Sequence, residues 1–287
     1  MRNQKSLFAM FWIVTIMLAG CGSPSKPTST TTTTTTTTNN INGVFADAPV
    51  VGLTYTCGTQ NAVTGAGGAF TCPVGSTVTF SVGGITLCTE PAQAFMTPVS
   101  CAQTTDPSAN AATSSVVAVT RFLMSISTTP ASSGTMTITS SELQAAASLT
   151  LDFSTATDTQ LLTAVDAVSP GAPLVDATTA ENEIANTVNS AFAGNYAGTY
   201  GGGDTGTWSV TIAPDGTVSG TATNSKNQPV NVLGSFVSGT IYSGTAGSAT
   251  WTGTLDTSKT PAVFSGTWNN PNANPSPVSG TFTGTKQ

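Results

Sequence analysis

GTWSVTIAPDGTVSGTATN, residues 206–224, alternates large apolar side chains with small polar ones on either side of a tight turn. An extended chain points successive side chains to opposite faces, so Trp208, Val210 and Ile212 share one face, as do Val218, Gly220 and Ala222. Pro214-Asp215-Gly216 supplies the turn between them. The same pattern continues outward through Trp251-Gly253-Leu255, Phe264-Gly266-Trp268 and Val278-Gly280-Phe282, with Gly-Thr recurring throughout. The spacing predicts about eight short strands over 194–287 in an up-and-down order, a small β-barrel or meander. Glycine repeatedly sits mid-strand on the apolar face, where it permits close approach or a sharp bend. The expected product is a closed or nearly closed barrel with Trp and Phe plugging its ends.

Toward the N-terminus, residues 105–193 lose the strand period and take up helical spacing. Val116, Val119, Phe122, Leu123 and Ile126 fall on one helical face. Thr139 with Glu142, Thr157 with Gln160, and Thr178 with Glu181 each have the spacing of a capping box. Helices are expected near 113–127, 140–148, 158–168 and 179–193. Residues 43–104 return to period two: Leu53, Tyr55 and Cys57, then Phe70 and Cys72, then Val78, Phe80 and Val82, separated by Gly-rich turns. Asp47-x-Pro49-Val50-x-Gly52, Thr64-Gly65-x-Gly67-Gly68-x-Phe70-Thr71 and Val78-Thr79-Phe80-x-Val82-Gly83 together resemble the carboxypeptidase-regulatory and prealbumin-like modules of bacterial surface proteins. That resemblance implies a small β-sandwich with a structural or adhesive role. A sandwich of this size is marginal alone, so the helices are expected to pack on it.

Leu18-Ala19-Gly20-Cys21 follows a charged start, Arg2 and Lys5, and a short apolar run, LFAMFWIVTIML. The run is too short to span a bilayer comfortably and reads as a cleaved signal. The motif resembles the lipobox of bacterial lipoproteins. It implies residues 1–20 as signal peptide, an acylated Cys21 as the mature N-terminus, and an anchor in the bacterial cell envelope. Gly22 in place of the inner-membrane retention Asp points to the outer membrane. Residues 21–42, rich in Thr, cannot bury apolar surface and form a tether that reaches up to ~70 Å when extended.

Four cysteines remain beyond Cys21: Cys57, Cys72, Cys88 and Cys101. In an exported chain they read as two disulfides. Three connectivities are open, and Cys57–Cys72 with Cys88–Cys101 is favoured because the first pair falls at the ends of what reads as a hairpin. Their spacing lacks the C-x-x-C pairs of a zinc site, so neither metal nor cofactor is expected.

Composition narrows the function. Charged residues are 7% of the chain, against roughly 25% in soluble domains. Removing Arg2 and Lys5 with the signal leaves five basic residues against thirteen acidic ones, which disfavours nucleic acid and anionic headgroups. Histidine is absent, which removes the commonest general base. The acids read mostly as helix caps and turns, and no nucleophile or phosphate-loop motif stands in context. The expectation is a protein that is not an enzyme.

Two features stand out as candidates. Arg121, the one arginine beyond the signal, lies within an apolar helix and reads as a structural fork toward Asp47, Asp106 or Asp152, rather than as a ligand anchor. Trp208, Trp251 and Trp268 share strand faces with Val, Leu and Phe, so they read as core; a hollow barrel would make them a ligand-contacting set. The first functional expectation is therefore an adhesive or scaffolding envelope module, with a surface glycan or protein as partner beside the membrane itself. A barrel binding a small apolar or sugar ligand is the alternative, followed by an enzyme inhibitor presenting the Pro-rich stretch Asn269 to Pro277. Oligomeric state is left open.

Overall fold

The computed structural model describes residues 39–287, apart from Gly239 and Pro275. The lipobox, Cys21 and most of the tether therefore lie outside the described residues. The chain is mainly β with a helical middle. First come β1 (Asn40–Phe45), β2 (Val50–Val51), β3 (Thr54–Cys57), β4 (Gln60–Val63), β5 (Ala69–Pro73), β6 (Thr77–Val82), β7 (Ile85–Pro91) and β8 (Phe95–Met96). A four-stranded sheet in the order β4-β3-β6-β7 faces a three-stranded sheet, β5-β1-β8. Phe45 and Phe70 from one sheet close on Phe80 from the other, with ring centroids 4.6 and 5.1 Å apart. Such pairs add large apolar burial to a module this small.

Both disulfides have the favoured connectivity, Cys57–Cys72 and Cys88–Cys101. The hairpin that motivated the first is not there. Cys57 ends β3 and Cys72 lies on β5, in the opposite sheet, because β5 leaves β3 to pair with β1. The bond staples the two sheets face to face.

The helical middle contains α1 (Pro98–Gln103), α2 (Ser114–Ile126), the two-residue strand β9 (Met136–Thr137), α3 (Ser140–Ala145), α4 (Asp158–Val168) and α5 (Ala177–Phe192). The Thr139 and Thr157 capping boxes form as the spacing requires. The third does not: Asp176 caps α5, its carboxylate accepting from the Thr178 and Thr179 amides. An acidic cap just upstream takes the Thr178 amide that the box would give to Glu181, and it gains from the helix dipole. The short α1 was not expected; Thr97 and Ser100 cap it reciprocally, with Pro98 in its first turn.

Arg121 is buried on α2, yet it meets none of the three acids proposed for it. Its Nη1 donates to Asp158 at 2.6 Å, while Nε donates to the Val175 carbonyl at 2.7 Å. Asp47 instead is fully buried with both carboxylate oxygens unpartnered, in a turn where Ala48 takes a positive φ. Burial pushes its carboxyl up to about 8; Glu183 adds to the rise and the nearby Thr120 hydroxyl opposes it.

Arg121→Met should lower the melting temperature, because the Val175 carbonyl loses its donor at a cost of about 1–2 kcal/mol. Asp158→Asn should move it far less, since that carboxylate is exposed and the pair is screened. A second expectation concerns pH. A carboxyl whose pKa is raised in the folded state gives stability that is complete below its unfolded value of 3.8 and lost as pH rises toward about 8. Urea denaturation at pH 4, 6 and 8 should show stability falling across that range, and Asp47→Asn should reduce the total fall by several kcal/mol, at about 1.4 kcal/mol per pH unit.

Candidate functional site

Eight strands follow α5: β10 (Gly194–Gly202), β11 (Gly206–Ile212), β12 (Thr217–Asn224), β13 (Pro229–Ser238), β14 (Ile241–Ala246), β15 (Ala249–Asp256), β16 (Val263–Asn270) and β17 (Val278–Lys286). Each pairs antiparallel with the next, and β17 returns to β10, so the sheet closes. An antiparallel eight-stranded barrel has an interior just wide enough for side chains or one small ligand. Here side chains fill one end, and the other is open.

One end is filled. Tyr196, Tyr242, Leu255 and Phe264 are buried there. The tyrosine hydroxyls donate outward to the last turn of α5: Tyr196 to the Phe192 carbonyl at 2.8 Å, and Tyr242 to the Asn189 side chain in a short bond. Lys286 Nζ donates to the Ala191 carbonyl at 3.2 Å and stands over the Phe192 ring. Burial holds both phenols well above the ordinary tyrosine value, so they remain neutral donors.

The other end is hollow. A cavity of about 540 Å³ opens between the β10–β11, β12–β13, β14–β15 and β16–β17 loops. Its inner wall is aromatic: Phe264 and Phe282 sit 5.4 Å apart, flanked edge-on by Trp208 and Trp251 at 5.8 to 6.1 Å. Nearer the mouth Tyr200 packs edge-on against Trp268 at 5.8 Å. The expectation that Trp and Phe would plug both ends is thus corrected. Tyrosines and a helix close one end, and the three tryptophans line an open pocket at the other.

Glycines make this geometry possible. In the barrel register Gly234 faces Gly244, Gly253 faces Gly266, and Gly198 faces Gly284. A Cβ at Gly234 would stand 2.4 Å from the Trp251 indole, and one at Gly284 would stand 2.5 Å from the Trp208 indole. Each indole thus lies across bare backbone instead of projecting into the lumen.

The indole N–H groups are already committed. Trp208 Nε1 donates to the Thr199 carbonyl at 3.2 Å, Trp251 to Thr245 at 3.3 Å, and Trp268 to Gly201 at 3.2 Å. The deep wall therefore offers rings and aliphatic carbon. Polar groups gather at the rim: Tyr200, Asp204, Asn224, Lys226, Gln228, Asn270 and Asn274. Asp204 accepts from the Thr205 amide at 2.7 Å and from Ser225 Oγ at 2.9 Å, tying two rim loops together. Burial, then the Asp204 charge, raises the Tyr200 phenol. The arrangement suits non-covalent retention of a molecule with an apolar body and a polar end.

Sequence reasoning singled out Trp208, Trp251 and Trp268, and the structure brings all three to one cavity. Phe264 and Phe282 alternate in phase with them and could have been added by the same signal. The rim residues gave no such signal, since loop Asn, Gln and Lys look alike whether or not they face a pocket. Asn269 to Pro277, singled out as a protruding segment, spans the β16–β17 loop, whose Ala273 and Asn274 help form the rim.

No protein-family model matches this chain, and neither does any curated protein sequence. Among solved structures, apo shwanavidin is similar at 19% identity and a TM-score of 0.24, covering 31% of this chain and 96% of that one. A rhizavidin–biotin complex is similar at 18% identity and a TM-score of 0.25, covering 32% and 93% respectively.

Gly234→Ala should displace Trp251 and cost about 1–3 kcal/mol, as overpacking does. Gly201→Ala, where nothing lies within 4 Å of the new methyl, should change stability by less than about 0.5 kcal/mol. Urea melts followed by tryptophan fluorescence separate the two.

Proposed function

We propose that this chain is an acylated envelope lipoprotein, held through Cys21, whose barrel retains a small amphipathic, ring-bearing ligand. The observation that carries the reading is the 540 Å³ aromatic cavity, a volume within the range of ligand pockets, at roughly 300–1,000 Å³. Its chemistry favours an apolar ring body over a sugar. A sugar buries many hydroxyls that need partners, and the deep wall has spent its indole donors on strand carbonyls. The polar end of the ligand would remain at the rim, beside Tyr200, Asp204 and Lys226. The adhesive reading expected a filled barrel, and the open cavity moves the proposed function inside it.

Tryptophan fluorescence of the protein, titrated with 8-anilino-1-naphthalenesulfonate, cellobiose and biotin, tests this directly. Biotin is included because one structural neighbour is described in complex with it. A saturable shift is expected with the anilinonaphthalene and none with cellobiose. Trp268→Ala should weaken the affinity at least tenfold, about 1.4 kcal/mol. Ala222→Leu, which fills lumen beside Trp208, should abolish the shift while the melting temperature holds. Flat titrations throughout would return the function to the surface.

A further inference from the structure

The two disulfides differ in setting. Cys57 and Cys72 are sealed in the sandwich core, at 1% and 0% exposure. Cys101 is half-buried, and a groove of about 450 Å³ lined by Cys88, Pro98, Cys101, Val116, Leu151 and Phe153 gives access to its bond with Cys88. Beside that bond lies Glu90, a carboxyl with 1% exposure that neither a cap nor a turn explains. Its Oε1 is 3.4 Å from Cys101 Sγ and 3.8 Å from Cys88 Sγ, while its Oε2 has no partner.

The local hydrogen bonds favour a proton on this acid. Ser100 Oγ lies 3.0 Å from Glu90 Oε1 and 2.9 Å from the Thr97 carbonyl. One hydroxyl proton cannot serve both acceptors. A protonated Glu90 resolves the conflict by donating to Ser100 Oγ, which then donates to Thr97. Burial, the largest cause, pushes the carboxyl up to about 7. On β6 it faces Val78, and on α1 it faces Ser100 and Cys101. The acid on the groove rim is the exposed Asp152, which Ser154 and Thr155 hold by hydrogen bonds.

We infer that Cys88–Cys101 is a thiol–disulfide exchange site for a dithiol partner, with Glu90 as its built-in proton donor. A thiolate of the dithiol attacks the accessible Cys101 Sγ, forming a mixed disulfide. The Cys88–Cys101 bond breaks, and its electron pair goes to Cys88 Sγ, which takes the proton of Glu90. The second sulfur of the dithiol, as thiolate, then attacks the mixed disulfide and expels Cys101 as thiolate. Of the two protons that the dithiol gives up to solvent as its thiols ionise, one restores Glu90 and the other protonates Cys101. The protein gains two thiols, and the dithiol becomes a disulfide. Cys57–Cys72 takes no part, because no attacking sulfur reaches it.

The test is timed reduction of the full chain by dithiothreitol between pH 5 and 9, with alkylation and peptide mass spectrometry to read each cysteine. Cys88–Cys101 should open at least 100-fold faster than Cys57–Cys72. Its rate should rise with the thiolate fraction up to about pH 7 and then level off, as Glu90 loses the proton it supplies. Glu90→Gln keeps the shape but not the proton. It should slow opening about tenfold at pH 6 and restore a tenfold rise per pH unit across the whole range. Ser100→Ala, which leaves the carboxyl in place but removes its hydrogen-bond partner, should move the break in the profile. A merely structural acid would move none of these profiles. Opening of both disulfides together, or Glu90→Gln and Ser100→Ala profiles identical to that of the unaltered protein, would overturn the inference.

Discussion

The last turn of α5 acts as a stopper, and the architecture of the barrel depends on it. A helix ends with carbonyls that have no partner within the helix. Here the barrel supplies them: Tyr196 serves Phe192, Lys286 serves Ala191, and Tyr242 binds the side chain of Asn189. α5 has no basic residue in its own last turn, so Lys286 also provides the positive charge that a helix C-terminus favours. Sealing this end with polar bonds leaves a packed layer of Tyr196, Tyr242 and Phe264 beneath it. The only room for a hollow is then toward the opposite loops. The same helix reaches the sandwich, where Thr187 Oγ1 accepts from the Ala48 amide beside the buried Asp47.

A second tie runs through α1. Cys101 bonds it to β7, and Gln103, two residues on, grips the barrel. Its amide donates to the Leu255 carbonyl at 3.1 Å, and its oxygen accepts from both the amide and the hydroxyl of Thr257. Six residues of helix thus carry a covalent bond to the sandwich at one point and three hydrogen bonds to the barrel at another. Glu90 sits under this helix as Asp47 sits under α2 and α5. Both are carboxyls held where charge is costly, and both lie at junctions between elements rather than in the middle of a sheet.

Much of this could be read from the sequence, because strand alternation survives wherever one face is buried. Trp208-Val210-Ile212 and its counterparts give the barrel strands and their inward faces. Periodicity reports faces and not volumes, however, so the same residues fit a plugged barrel and a hollow one equally well. The difference lies in which glycines meet across the ladder, as Gly234 does Gly244, and register is not written in any single strand. Local signals failed where two were in competition. Thr178 with Glu181 satisfied the capping pattern, but Asp176 stood closer to the amides. Arg121 found Asp158 because α2 and α4 pack together, a pairing no local spacing announces. Glu90 was legible in one respect: with Cys88 it keeps the period of β7 and so shares its buried face.

Ring closure also orders events in time. β10 and β17 are the first and last strands of the barrel, and Tyr196 pairs with Lys286. A chain synthesised from its N-terminus delivers the sandwich cysteines, α1 and α5 before residues 278–286 emerge. The barrel therefore stays an open sheet, its β16 edge unpaired, until its last strand is free. Contacts so distant in sequence form slowly, and unpaired edges invite association with other chains. The outward faces of β15 and β16 carry mostly Thr and Ser, as at Thr250, Thr252 and Thr254 on β15, and Ser265 and Thr267 on β16. Such a coat gives a waiting edge little apolar surface on its outer side.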